Sequence, residues 1–203
     1  ERSGSLFLVK NIFSFIGAIL SISFGMIYPL LPTQVSLVTM FTIGVPSFFL
    51  AQIPNQNLIK GNFILNVLSK AAPAPVTNVL VIWLLVLIAQ IFHIGRAELG
   101  MLCVLAWEAV GLVYLYRVCR PFDNIWKKLI VGGCGFGMIF CMIFLQDLFG
   151  ITFNLTSSDW TLFLITACLV LPMMIGFEKL LGFLYGRFFV DFIQQKIILR
   201  KKQ

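Results

Sequence analysis

Several polar side chains within long apolar runs carry hard oxygen atoms, among them Asn11, Thr39, Thr42 and Glu108. Amide, hydroxyl and carboxylate oxygens are hard ligands, suited to Ca2+, Mg2+ or an alkali ion. Thr39 and Thr42 have a spacing that places both on one face of a helix. Pro46 follows Thr42 by about one helical turn and has no N–H, so the Thr42 carbonyl loses its helical donor. Gly44, between them, is expected to let the backbone open. The segment "TMFTIGVP" is thus predicted to be a kinked helix presenting an exposed carbonyl and two hydroxyls at one point. An ordinary proline kink patched by threonine accounts for the same pattern.

Asn11 belongs to a spaced set, Asn11, Ser14, Ala18, Ser21 and Gly25, which falls on one helix face. A small-residue packing seam explains Ser21 and Gly25. It explains Asn11 less well, because an amide is bulkier and needs partners. Lys10 stands next to it, either snorkelling to the interface or placing a cation beside a transport site. Glu108 lies near the centre of "LGMLCVLAWEAVGLVYLY". A carboxylate at that depth is costly and points to function, as a cation ligand, a proton carrier or a protonated structural group.

Other chemistry is missing. His93 is the single histidine and is expected to be structural, at a helix end. No Ser-His-Asp or Cys-His set is available. "GGCGFG" (132–137) sits inside an apolar run, so it reads as helix packing and not as a phosphate loop. The five cysteines, Cys103, Cys119, Cys134, Cys141 and Cys168, include no CxxC pair. Four fall in apolar spans and Cys119 in a basic loop, so they are expected to be plain apolar packing. No catalytic residue and no cofactor-binding residue is assigned, and the chain on its own is expected to catalyse no covalent chemistry.

The elements that must position these groups are membrane helices. Of 203 residues, 60% are hydrophobic and only 11% charged, where soluble domains carry about a quarter charged residues. The chain reads as an all-α membrane protein, a single transmembrane domain over 1–203. Six spans are expected, at about 5–27, 33–53, 74–92, 98–116, 129–149 and 160–181, with a helical tail at about 182–203. "YPLLPTQ" (28–34) supplies the first turn through its two prolines. With these spans, Arg96 is the one basic residue on its side and the other fourteen of the fifteen fall on the opposite side. The positive-inside rule then makes both termini cytoplasmic. The net charge of +7 needs membrane lipid and no nucleic acid as its partner. "NLT" at Asn154 matches a glycosylation sequon, a triplet that arises readily by chance.

Longer stretches carry a resemblance. "RSGSLFLVKNIFSF", "YPLLPTQVSLVTMFTIGVPSFFLAQIPN" and "IKGNF" resemble the fifth and sixth membrane helices of bacterial cation-transporting P-type ATPases. The hairpin pattern is carried by Pro32, Gln34, Thr42, Gly44 and Pro46. The nearest branch is the bacterial one that includes calcium-exporting pumps. The motif-bearing part covers about residues 2–63; the rest agrees in span count and topology.

The resemblance implies the C-terminal membrane half of such a pump, helices five to ten, in a bacterial plasma membrane. It implies that Mg2+ and ATP act in the intact pump, on parts absent from this chain. It also implies an absent N-terminal part as partner and a transported cation, with Ca2+ favoured. Asn11 matches the helix-five asparagine of animal calcium pumps, and Ser14 stands where they have a glutamate. Thr39 replaces an asparagine, Thr42 matches a threonine, Ile43 replaces an aspartate, and Glu108 matches the helix-eight glutamate. Two carboxylates of the two-calcium pattern are therefore missing, and one reduced site is expected. The implied ligands are Asn11, Thr39, Thr42 and Glu108, shaped by Lys10, Ser14, Gly44 and Pro46. The Lys10–Asn11 pair also resembles that of lipid-flipping P-type ATPases, so a lipid or polyamine substrate stays open. A non-enzymatic helical membrane protein or secondary carrier is the alternative from a different class.

Overall fold

The computed structural model describes residues 2–24, 29–53, 71–120, 122, 124–151 and 155–200. Among them every regular element is helical. In chain order these are α1 (Arg2–Phe24), α2 (Pro32–Thr39), a π-helical segment (Met40–Gly44) and α3 (Val45–Gln52). They are followed by α4 (Pro73–Phe92), α5 (Arg96–Cys119), α6 (Ile125–Phe144), α7 (Gln146–Phe149) and α8 (Ser157–Arg200).

Among the described residues five stretches are long and apolar enough to cross a membrane: Pro32–Gln52, Pro73–Phe92, Arg96–Cys119, Ile125–Phe144 and Ser157–Phe183. The expected first span contributes a shorter apolar stretch, Gly4–Ile19. The fifth expected span also ends earlier. α6 stops at Phe144, Leu145 breaks the helix, and α7 makes a separate turn ending in a left-handed Gly150. The tail does not break from the last span, since α8 continues unbroken to Arg200 with Pro172 inside it.

α5 is the central helix. It packs against α4, α6, α8, α2 and the π segment, and Met101, Cys103, Val104 and Leu115 are fully buried on it. α1 packs against α3 and α4, and its Phe13 ring meets Trp107 of α5 at 4.2 Å between centroids. The outward surface is apolar: Phe15, Ile22, Ile91, Phe136 and Phe144 are all exposed, as suits side chains facing hydrocarbon.

Local signals fix the helix ends. α2 begins with Pro32, whose missing N–H costs nothing in the first turn. Gln34, buried, accepts from the Leu31 N–H at 3.0 Å and donates to the Gly150 carbonyl at 3.0 Å. Thr33 donates to the Phe149 carbonyl, so the start of α2 is tied to the turn after α7. His93 ends α4 in a left-handed conformation, φ 54°, and is exposed. Glu98 caps α5 by accepting from the Gly95 N–H. Asp159 caps α8 by accepting from both the N–H and the hydroxyl of Thr156, so this buried carboxylate is structurally engaged. Asn154, with its "NLT" triplet, lies outside the described residues, as do Gly25, Lys60, Lys70 and the "IKGNF" stretch.

Candidate cation site

The site is built around the interruption between α2 and α3. The Val45 N–H donates to the Met40 carbonyl, a π-type bond that reaches one residue further back than an α-helical one. Pro46 has no N–H to offer. It therefore cannot donate to the Thr42 carbonyl in the α register or to the Phe41 carbonyl in the π register. The expected break is present, and it is wider than a simple proline kink. Gly44 takes ordinary right-handed angles, φ −61° and ψ −63°, and a Cβ there would meet only the Thr39 carbonyl at 3.8 Å. The π turns and Pro46 mark the interruption, and Gly44 adds no left-handed conformation to it.

Both threonine hydroxyls commit their protons to their own helix. Thr42 donates to the Val38 carbonyl at 2.8 Å, and Thr39 to the Val35 carbonyl at 2.8 Å. Their oxygen lone pairs remain available to a cation. Thr42 is buried and Thr39 half-buried.

α5 brings the carboxylate. Glu108 is 7% exposed, and neither of its oxygens has a hydrogen-bond partner among the described residues. Gly111 lies one turn further along the same face of α5. The Thr42 side chain occupies the space beside it, so closely that a Cβ on Gly111 would overlap the Thr42 methyl group. Cys134 of α6 lies near Glu108. The glycine-rich run on α6 is used unevenly: Gly135 meets Leu112 and Gly137 meets the Phe41 ring, while Gly132 and Gly133 face open space. Close packing is thus the use made of half of this run.

Thr42 is thus set against α5 one turn from Glu108, with Thr39 a turn away on the broken helix. Asn11 and Ser14 are not. Both are exposed on α1, as is Ala18, while Leu6, Val9 and Phe13 form its buried stripe. The reason is steric: the Phe13–Trp107 stack takes the inward face, and the polar seam turns outward. Lys10, at the edge of that seam, is half-buried. The cysteines are all free. Cys119 is corrected from a loop position to the buried last residue of α5. Among the described residues no three His, Cys, Asp or Glu side chains gather to hold a metal.

One polar residue was missed from sequence. Asn78 of α4 is fully buried, and both its amide atoms lack partners. The signal was present, an amide inside the apolar run of "PAPVTNVLVIWLLVLIAQIF", as conspicuous as Glu108 in its own helix.

No family model matches the chain. Two curated proteins are similar to it. "Probable cation-transporting ATPase exp7" of Streptococcus pneumoniae is 25% identical over 138 residues, covering 62% of this chain and 17% of that protein. "Calcium-transporting ATPase CtpE" of Mycolicibacterium smegmatis is 26% identical over 166 residues, covering 73% of this chain and 21% of that protein. The chain thus aligns with about a fifth of the length of the curated relatives it matches. With its five apolar spans, it is a multi-pass helical membrane protein weakly similar to bacterial cation-transporting ATPases.

Proposed function

We propose that this chain is the membrane part of an ATP-driven cation pump of a bacterial plasma membrane, and that the pump moves Ca2+ or another divalent cation. The observation that carries the proposal is the Glu108 carboxylate, buried with neither oxygen hydrogen-bonded among the described residues and one turn from the contact between Gly111 and Thr42. A buried carboxylate without a partner is costly unless a cation or proton joins it. The lone pairs of Thr42 and Thr39, and a carbonyl to which Pro46 can offer no N–H, add neutral oxygens of the kind Ca2+ takes. The names of the two relatives supply the ATP-driven and cation-transporting elements of the reading.

In this reading ATP and Mg2+ act on parts of the pump outside this chain. The outward face of α1, with Asn11, Ser14 and the adjacent Lys10, is the face that the N-terminal part would cover, and Asn11 joins the ligand set from there. The termini are cytoplasmic in the orientation set by the basic residues. The test uses the whole protein in lipid vesicles. ATP hydrolysis should rise with Ca2+ and fall to baseline with a calcium chelator, and labelled Ca2+ should accumulate inside inverted vesicles. Lack of any metal response overturns the cation reading.

A second reading keeps the architecture and changes the cargo. Lys10 beside Asn11, on the uncovered face of α1, suits an anionic lipid headgroup better than a divalent cation. Stimulation by lipid with no metal response would select it.

A further inference from the structure

The two ends of α5 stand in opposite charge environments. At its start, Gly100 lies against Gln34, and Gln34 holds the Gly150 carbonyl that follows α7. The charged side chains described on α5, α7 and α8 at that end are Arg96, Glu98, Asp147 and Asp159. At its other end, α5 finishes at Cys119 and α6 begins at Ile125 after a short connection. Arg117 reaches Glu178 and so brings α8 to the same place. The charged side chains described on these three helices there are Arg117, Arg120, Lys127, Lys128 and Lys179, against Glu178. Lys127 is buried and Arg117 is paired. Arg120, Lys128 and Lys179 are exposed, and among the described residues none of them meets a carboxylate.

The side chains around these cations are apolar or amphipathic, and they too face outward. Ile125 is 75% exposed and Trp126 59%. The Arg120 guanidinium lies over the exposed Tyr116 ring, 5.8 Å from its centroid, and Phe122 packs on the same ring. Trp and Tyr favour the boundary between hydrocarbon and headgroups. Further along α6 the exposed side chains are purely apolar, Leu129, Phe136 and Phe140 among them. Lys128 therefore stands in the first turn of a helix whose outward side is otherwise aromatic and aliphatic, a position from which an ammonium group snorkels to the phosphate level. Positive charge alone would suit an acidic protein segment equally well. Cations interleaved with exposed Ile, Trp and Leu suit a lipid surface better, because headgroup phosphates meet the charges while acyl chains cover the apolar groups.

We propose that the end of α5, the start of α6 and the adjoining part of α8 form a binding surface for anionic phospholipid. Arg120, Lys128 and Lys179 meet the headgroups, and Trp126 marks the boundary with the acyl chains. The surface is about three turns along α5 from Glu108, and it does not depend on what the protein transports.

The test is the lipid selectivity of the whole protein in phosphatidylcholine vesicles that carry a trace of spin-labelled lipid. Electron spin resonance separates lipid held at the protein surface from lipid in the bulk. Spin-labelled phosphatidylglycerol should associate about fivefold more strongly than spin-labelled phosphatidylcholine at low salt, the scale of one basic side chain at the interface. The preference should shrink in about 1 M salt. Replacing Arg120, Lys128 and Lys179 together by Gln should lower it about twofold or more, while Arg96→Gln, at the opposite end of α5, should leave it unchanged. All four side chains are exposed, so these variants leave the buried packing intact. Equal association of the two lipids overturns the proposal. So does a preference that the triple variant keeps in full, the result expected if an acidic part of the protein covers these side chains instead.

Discussion

The Thr42 side chain lies directly against Gly111, one turn along α5 from the unpaired carboxylate of Glu108. That contact joins the interrupted helix to the carboxylate-bearing helix, and the functional reading depends on it. Glu108→Gln keeps the shape and removes the charge. It should raise the Ca2+ concentration for half-maximal ATP hydrolysis about tenfold or more, the scale of losing a charged interaction. Thr42→Ala removes one neutral oxygen and leaves the backbone carbonyl, so about a threefold rise is expected. Calcium titrations of ATPase activity on both variants of the whole protein check this. Equal, unchanged titrations would remove both residues from the site.

Two glycines close together in the fold should respond oppositely to alanine. At Gly111 a methyl group would overlap the Thr42 side chain, so Gly111→Ala should cost about 1–3 kcal/mol through overpacking. Thr42→Ser, which deletes the overlapping methyl, should recover part of that loss. At Gly44 the new methyl meets only ordinary van der Waals contact on an exposed face. Gly44→Ala should be neutral or stabilising by up to about 1 kcal/mol. Thermal unfolding of the four proteins in detergent is the measurement, and equal effects at the two glycines would contradict the packing described.

Gln34 spans a junction that no other described side chain makes in the same way, holding the Leu31 N–H and the Gly150 carbonyl at once. Gln34→Ala leaves both without it and should destabilise by about 1–3 kcal/mol. Hydrogen exchange should quicken at the Leu31 amide, the donor that loses its acceptor. Protection unchanged at Leu31 would show that this amide does not depend on Gln34.

The ion pair between Arg117 and Glu178, 2.6 Å apart, links α5 to α8. Its side chains are 26% and 59% exposed, so solvent screening leaves it small. Glu178→Gln should change stability by less than about 1 kcal/mol. A larger drop in Tm would mean that α8 is held to the bundle chiefly by this pair.

What the sequence disclosed follows from how each signal works. The interruption between α2 and α3 was legible because proline removes a donor wherever it sits, and Glu108 because a carboxylate in an apolar run has few uses. The pairing of Thr42 with α5 was suggested only through the resemblance, since nothing in its spacing names Gly111 as the neighbour. The outward turn of Asn11 was not legible. Helical spacing tells which residues share a face but not which face goes inward, and the Phe13–Trp107 stack decided that through tertiary packing. The π segment was hidden for a related reason, because proline predicts a break without stating how many residues the break absorbs. Asn78 was legible and was passed over.

That π segment amounts to an accommodated insertion. A π bulge holds one residue more than the α-helix it interrupts, so the strip from Met40 to Gly44 stores a surplus residue within an otherwise continuous span. Deleting a single residue there would let the helix heal into one regular rod. The flanking halves would then turn against each other by about 100°, the angle of one residue in an α-helix. Thr42 and Gly111 could not stay in contact while Gln34 kept its hold on Gly150. A one-residue length change inside this strip would therefore disconnect the anchored start of the span from its working middle, although it would alter neither the hydrophobicity nor the span count.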